Sequence, residues 1–355
     1  MSKRSICSSI VLHKKRQKTA VFDSWSMIER YFTFADYLLM GCVNKWWRSI
    51  VAGLKIPKFL HLEGDDLDKI PTLHSKLGHP NVIIKVAGDA GLNLWPSIRK
   101  LVLNNSLHRV YVDLNKCPRL KKLKVCSWNR YVGGSSSVVE LSTKRVECLF
   151  LLARSFPNLK RAKIRVVDLD DFIMDCERSG MEFGWRDLTL TVGVHEVGLQ
   201  FLKSLPELRS FKVVCSSLAP LMPTCEFPQL SHLHLDINSG FDFILDHFPN
   251  LESLVISSLA EINLASKKHP LKRLVLQEMV VNFDWMVHLD QLEELEFADF
   301  VSLDSFISRG EPCLVKCVTL SQLVVNTRRF HSIFPKLETL NLRKESSKLK
   351  INIIE

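Results

Sequence analysis

Pro118-Arg119-Leu120-Lys121-Lys122-Leu123-Lys124-Val125 supplies the template for the chain: Pro-x-Φ-x-x-Φ-x-Φ, where Φ is apolar. Leu123 and Val125 alternate with Lys122 and Lys124, the pattern of a strand with one buried face. The frame returns at Pro96 with Ile98, Leu101 and Leu103, at Pro157 with Leu159, Ala162 and Ile164, and at Pro206 with Leu208, Phe211 and Val213. It returns again at Pro228, Pro249 and Pro335, one residue shorter at Pro270, and without proline at Leu292, Leu295 and Phe297. From Leu190 onward the last apolar positions fall at 190, 213, 235, 256, 276, 297, 320 and 342, in steps of 20 to 23 residues. A period of that size marks a solenoid, in which each unit buries its apolar face only against its neighbours.

Upstream the phase loosens, with strands expected to end at Leu62, Val86, Leu103, Val125 and Ile164. The gap of 39 residues before Ile164 holds Gly133-Gly134-Ser135-Ser136-Ser137 and reads as a loop insertion near 129–140, around a degenerate strand at Val138 to Leu141. Some returning segments carry helical spacing: Phe241, Ile244, Leu245 and Phe248, and likewise Val146, Leu149, Phe150 and Ala153. Proline is expected to end each such helix, because it disfavours helical geometry in the residue before it. The expected fold class is α/β: a parallel sheet on the concave face, with helices and loops on the convex face.

The chain has 355 residues, 48 Lys+Arg against 38 Asp+Glu, a net charge of +10 and 46% hydrophobic residues. Those values fit a globular protein and argue against disorder throughout, collagen or coiled coil. No apolar run approaches the roughly 20 residues of a membrane helix, and no secretory signal is evident, so an intracellular protein of the nucleus, the cytoplasm or both is expected. Ten cysteines show no paired spacing and read as free thiols. The charge is unevenly spread. Residues 1–20 contribute +6 without an acid, residues 99–165 hold 16 basic residues against Asp113, Glu140 and Glu147, and residues 191–355 carry −4.

Three regions follow: a basic, disordered tail at 1–20, a helical module at 21–55, and the solenoid at 56–355 with about 12–13 repeats. In the tail, His13-Lys14-Lys15-Arg16-Gln17-Lys18 has the composition of a nuclear localisation signal. In the module, Trp25, Ile28 and Phe32 form one helical face, and Leu38, Leu39, Val43, Trp46, Trp47 and Ile50 form a second. That much apolar surface on so short a segment needs a neighbour or a partner.

The repeat openings Cys117-Pro118-Arg119-Leu120, Phe156-Pro157-Asn158-Leu159, Phe227-Pro228-Gln229-Leu230, Phe248-Pro249-Asn250-Leu251 and Phe334-Pro335-Lys336-Leu337 resemble the leucine-rich repeats of plant-style F-box proteins. The module is similar to an F-box: Asp36, Leu38, Leu39, Val43, Trp47 and Arg48 match the Asp-x-Leu-Leu and Val-Cys-Lys-x-Trp-Arg frame, and Ile28 and Phe32 match the preceding helix. The Leu-Pro that opens the family motif falls here at Ala20-Val21, and its cysteine at Asn44. The resemblance implies a substrate receptor of a Skp–cullin–F-box ubiquitin ligase, with Ile28, Phe32, Leu38, Leu39, Val43 and Trp47 contacting the Skp-family adaptor. A free-standing leucine-rich-repeat scaffold is the other reading, with the module as a cap on the solenoid.

No phosphate loop, nucleophile elbow or dinucleotide fingerprint is present, and His195-Glu196 lacks the second histidine of a zinc motif, so neither an enzyme nor a cofactor is expected. His232 and His234 share a strand face without an apparent third metal ligand. On the expected concave floor, Lys122, Lys124, Arg161, Lys163 and Arg165 would receive an acidic or phosphorylated segment of a protein substrate. Nucleic acid is disfavoured, because no aromatic residues alternate with these cations to stack bases.

Overall fold

The computed structural model describes residues 60–63, 81–85, most of 90–297, and 315–320, 324–326, 334–342 and 352–354. The tail at 1–20 and the module at 21–55, with its adaptor-contact residues, lie outside the described residues. The chain is an α/β protein with few helices. Its fourteen-stranded parallel sheet follows the order of the sequence, as a coiled repeat requires. The strands are β1 Leu60–Glu63, β2 Asn81–Lys85, β3 Lys100–Asn104, β4 Lys122–Val125, β5 Glu140–Thr143, β6 Arg161–Val166 and β7 Asp187–Val192. They continue as β8 Ser210–Cys215, β9 His232–Ile237, β10 Ser253–Ile256, β11 Arg273–Leu276, β12 Glu294–Phe297, β13 Cys317–Leu320 and β14 Thr339–Leu342.

One register runs through the sheet. Leu62, Ile84, Leu103, Val125, Thr143, Ile164 and Leu190 align, and the column continues through Val213, Leu235, Ile256, Leu276, Phe297, Leu320 and Leu342. From Leu190 onward this column matches the spacing read from the sequence. Two upstream expectations change. The core position of β2 is Ile84 rather than Val86, because Val82 pairs with Leu101 and Ile84 with Leu103. The segment near 129–140 leads into a full strand, β5, which lies two residues beyond the expected Val138 to Leu141. Thr143 fills an apolar position there and is 4% exposed; its hydroxyl donates to the Arg145 carbonyl at 2.9 Å, which offsets the cost of burying it.

The prolines serve a turn. In Cys117-Pro118-Arg119-Leu120 the Leu120 amide donates to the Cys117 carbonyl at 2.9 Å, a four-residue turn with proline in its second position. The same bond joins Leu159 to Phe156, Leu208 to Leu205, Leu230 to Phe227, Leu251 to Phe248 and Leu337 to Phe334. Proline suits that position because its ring presets φ near −65°. Asn158 and Asn250, which follow their prolines, each donate a side-chain amide at 2.8 Å to a carbonyl of the preceding coil, Ser136 and Pro228 respectively. Beyond each turn, two successive amides share one carbonyl of the previous coil; those of Lys121 and Lys122 meet Arg99, and those of Lys160 and Arg161 meet Val139.

Across the core, the return path differs from the expected row of helices. Among the described residues it has one α-helix with fully described bounds, α1 Leu149–Ser155, which realises the helical spacing from Leu149. Elsewhere it uses 3-10 turns, such as Leu199–Ser204, and short parallel pairs. Phe241–Ile244 is one strand of such a pair, against Ala260–Asn263, and not the expected helix. Alternation decides it: Phe243 is buried and stacks on Phe248 at 5.3 Å between ring centroids, while Asp242 and Ile244 on either side are exposed. Phe248 also stacks on Phe227 at 5.4 Å, linking successive coils through their Phe-Pro openings. Each fully buried leucine or phenylalanine of this core contributes about 1.5–3 kcal/mol by removal from water.

Gly133 and Gly134 bring the coil before β5 close to its neighbours. Gly133 has φ +61, and a Cβ there would stand 2.9 Å from the Val112 carbonyl oxygen; one on Gly134 would stand 2.8 Å from the Ser155 Cβ. The pair therefore fits where a side chain would not, so the Gly-Gly sequence reports tight packing beside α1.

Candidate functional site

Parallel pairing stacks equivalent residues of successive coils into columns, and the outward-facing positions of the sheet form two main ones. The outer column comprises the residue before the first buried position of each strand: Lys100, Lys122, Glu140, Arg161, Asp187, Ser210 and His232 in β3 to β9. The central column lies two residues further along each strand: Val102, Lys124, Ser142, Lys163, Thr189, Lys212 and His234. An open depression of about 410 Å³ spans both columns between β3 and β7. Lys122, Lys124, Arg161 and Lys163, four of the five cations expected at the site, line it together with Glu140, Ser142, Asp187 and Thr189. Arg165, the fifth, is exposed on β6 opposite Thr191.

The five cations divide into two kinds. Glu140 lies between Lys122 and Arg161 in register; its Oε2 is 2.7 Å from Lys122 Nζ and its Oε1 is 2.8 Å from Arg161 Nη1. Arg161 Nε also lies 3.7 Å from Asp187 Oδ2. The outer column is thus a ladder of alternating charge that largely neutralises itself. Exposed pairs of this kind contribute about 0–1 kcal/mol each, so the ladder matters more for the field it cancels than for stability. Lys124, Lys163 and Arg165 make no ion pair with the described residues. Both lysines are exposed, and only Ser142 separates them across the sheet.

At the far side of the central column, Lys212 Nζ lies 3.2 Å from His234 Nε2. Burial first, and then the Lys212 charge, push the pKa of His234 below its usual value against an opposing pull from Asp236. With His234 neutral, its Nε2 accepts from the ammonium. His232 lies in the outer column, and its Nδ1 is 2.8 Å from Ser231 Oγ. The two histidines share a face, as their spacing implies, but each has its own neighbours. Further along the sheet, Arg273 bridges both outward glutamates of β12: its guanidinium lies 3.2 Å from Glu294 Oε2 and 3.5 Å from Glu296 Oε2.

Other chemistry is sparse among the described residues. No group of three or more His, Cys, Asp or Glu side chains is placed to hold a metal ion. Cys117 and Cys215 are buried thiols whose pKa is pushed up to about 11, mainly by burial, so they act as small apolar residues rather than nucleophiles. Among the described residues no helix is long and apolar enough to cross a membrane.

Sequence reasoning missed the pairing role of Glu140, and it missed Ser142 altogether. Both sit on β5, the strand whose position the sequence left ambiguous. Comparison of the chain with protein-family models and with curated proteins returns no match.

Proposed function

We propose that this chain is the substrate-recognition subunit of a Skp–cullin–F-box ubiquitin ligase. In this reading the coils are leucine-rich repeats, residues 21–55 hold the Skp-family adaptor through Ile28, Phe32, Leu38, Leu39, Val43 and Trp47, and the open face of the sheet holds a protein substrate in the nucleus or cytoplasm. The chain performs no chemistry of its own. It accelerates ubiquitin transfer by holding the substrate near the ligase, which replaces a bimolecular encounter with a local one.

The observation that carries the receptor half of this reading is the face itself. The fourteen-stranded parallel sheet presents a face whose outer and central columns are polar over β4 to β9, with an exposed cationic stretch at β4 to β6 suited to an acidic or phosphorylated segment. The adaptor half rests on the F-box-like residues of the sequence.

A pull-down with purified Skp-family adaptor tests it. Wild-type chain is expected to retain the adaptor and a Leu38→Ala, Val43→Ala, Trp47→Ala variant to lose it. Failure of the wild type to bind would leave a free-standing repeat scaffold in place of a ligase subunit.

A further inference from the structure

We infer that the central column is a track for a polypeptide segment in the polyproline II conformation carrying an anionic side chain at every third residue. Over the six strands β4 to β9 this column reads Lys124, Ser142, Lys163, Thr189, Lys212, His234. A lysine recurs at every second strand, a hydroxyl follows each of the first two, and no acid interrupts the row. Val102 on β3 and Val255 on β10 bound it at either end. The neighbouring outer column has the opposite character, because Glu140 and Asp187 alternate there with Lys122 and Arg161.

The spacing selects the ligand. Adjacent strands lie about 4.8 Å apart, so lysines on alternate strands stand about 10 Å apart and the whole row spans about 24 Å. A polyproline-type segment laid across the strands advances about 3.1 Å per residue with three residues per turn, so three residues nearly match one lysine-to-lysine step and side chains at i, i+3 and i+6 share one face. Anionic residues at i, i+3 and i+6 would meet Lys124, Lys163 and Lys212. The intervening residues, two in each step, would lie over Ser142 and Thr189, whose hydroxyls can donate to or accept from a peptide backbone. The partner's negative group is a carboxylate or a phosphoryl group, both acceptors for an ammonium.

This inference rests on the receptor reading only in taking the bound partner to be a polypeptide. It is tested without the adaptor, so that loss of one leaves the other standing. Fluorescence anisotropy with the purified full chain would compare three labelled peptides: glutamates at i, i+3 and i+6, the same composition with glutamates at i, i+2 and i+4, and phosphoserines at i, i+3 and i+6. A single-stranded oligouridylate serves as the nucleic-acid probe.

The third-residue glutamate peptide is expected to bind about threefold tighter than the second-residue one, the flexible lysine stems absorbing part of the misfit. Each of Lys124→Gln, Lys163→Gln and Lys212→Gln should weaken it about two- to fivefold, as for an exposed ion pair. Binding of the phosphoserine peptide alone would keep the spacing and assign the phosphoryl group as the anion. Equal affinity for both glutamate spacings, or no binding of any peptide, would overturn the inference, as would tighter binding of the oligouridylate. Unchanged circular dichroism and melting temperature confirm that the glutamine variants fold.

Discussion

The outer and central columns share the same six strands and lie two residues apart, yet they handle charge in opposite ways. In the outer column Glu140 and Asp187 are interleaved with Lys122 and Arg161, and their side chains close into a ladder. In the central column the lysines alternate with hydroxyl residues. A count of local charge treats all these cations alike. The sheet register separates them into those already matched within the chain and those left to meet a partner. Coulomb energy between exposed charges is small and screened by salt, so which cations have close partners decides binding more than net charge does.

Removing Glu140 would blur this contrast most. A Glu140→Gln variant releases Lys122 and Arg161 from the ladder, so affinity for the third-residue glutamate peptide should rise about threefold while stability falls by about 1 kcal/mol, because both cations are largely exposed although Glu140 is half-buried. Anisotropy and chemical denaturation measure the two effects. A lower peptide affinity would mean that Glu140 positions the cations for binding rather than occupying them.

Acidification sharpens the contrast by a smaller amount. His234 has its folded-state pKa lowered by burial and by Lys212, with Asp236 opposing, so below about pH 6.5 the unfolded chain takes up a proton before the folded one does. Its stabilising contribution is complete above that pH and is lost as pH falls from about 6.5 through the lower folded value. The same protonation adds a positive charge to the central column. As pH falls through that lower folded value the wild type should therefore gain affinity for the glutamate peptide as its stability declines, and His234→Gln should flatten both trends. Titration of the variant alongside the wild type measures this; parallel profiles would exclude His234 as their source.

The sheet was far more legible in the sequence than its return path. Φ-Pro-x-Leu openings fix a turn, and a following Φ-x-Φ fixes which residues face inward, so the columns from Leu190 to Leu342 could be read from spacing. Elsewhere a local pattern allowed two phases. In Asn81-Val82-Ile83-Ile84-Lys85-Val86 the apolar run accommodates either Val82 with Ile84 or Ile84 with Val86, and only pairing with Leu101 and Leu103 selects the former. Phe241-Asp242-Phe243-Ile244-Leu245 fits both a helix and an alternating strand, and stacking of Phe243 on Phe248 selects the strand. At β5 the usual apolar mark is missing because Thr143 satisfies its own hydroxyl. That omission hid Glu140 and Ser142, and with them the division between matched and unmatched cations. The five basic residues were visible; the separation of Lys122 and Arg161 in the outer column from Lys124 and Lys163 in the central one required the register.

The most direct measurement compares two variants that each remove two positive charges from the same strands, Lys124→Gln with Lys163→Gln and Lys122→Gln with Arg161→Gln. Their long-range fields change alike, so a difference in affinity for the third-residue glutamate peptide reports contact. The central pair is expected to lose about tenfold and the outer pair about two- to threefold. Equal losses, or a larger loss for the outer pair, would contradict this expectation.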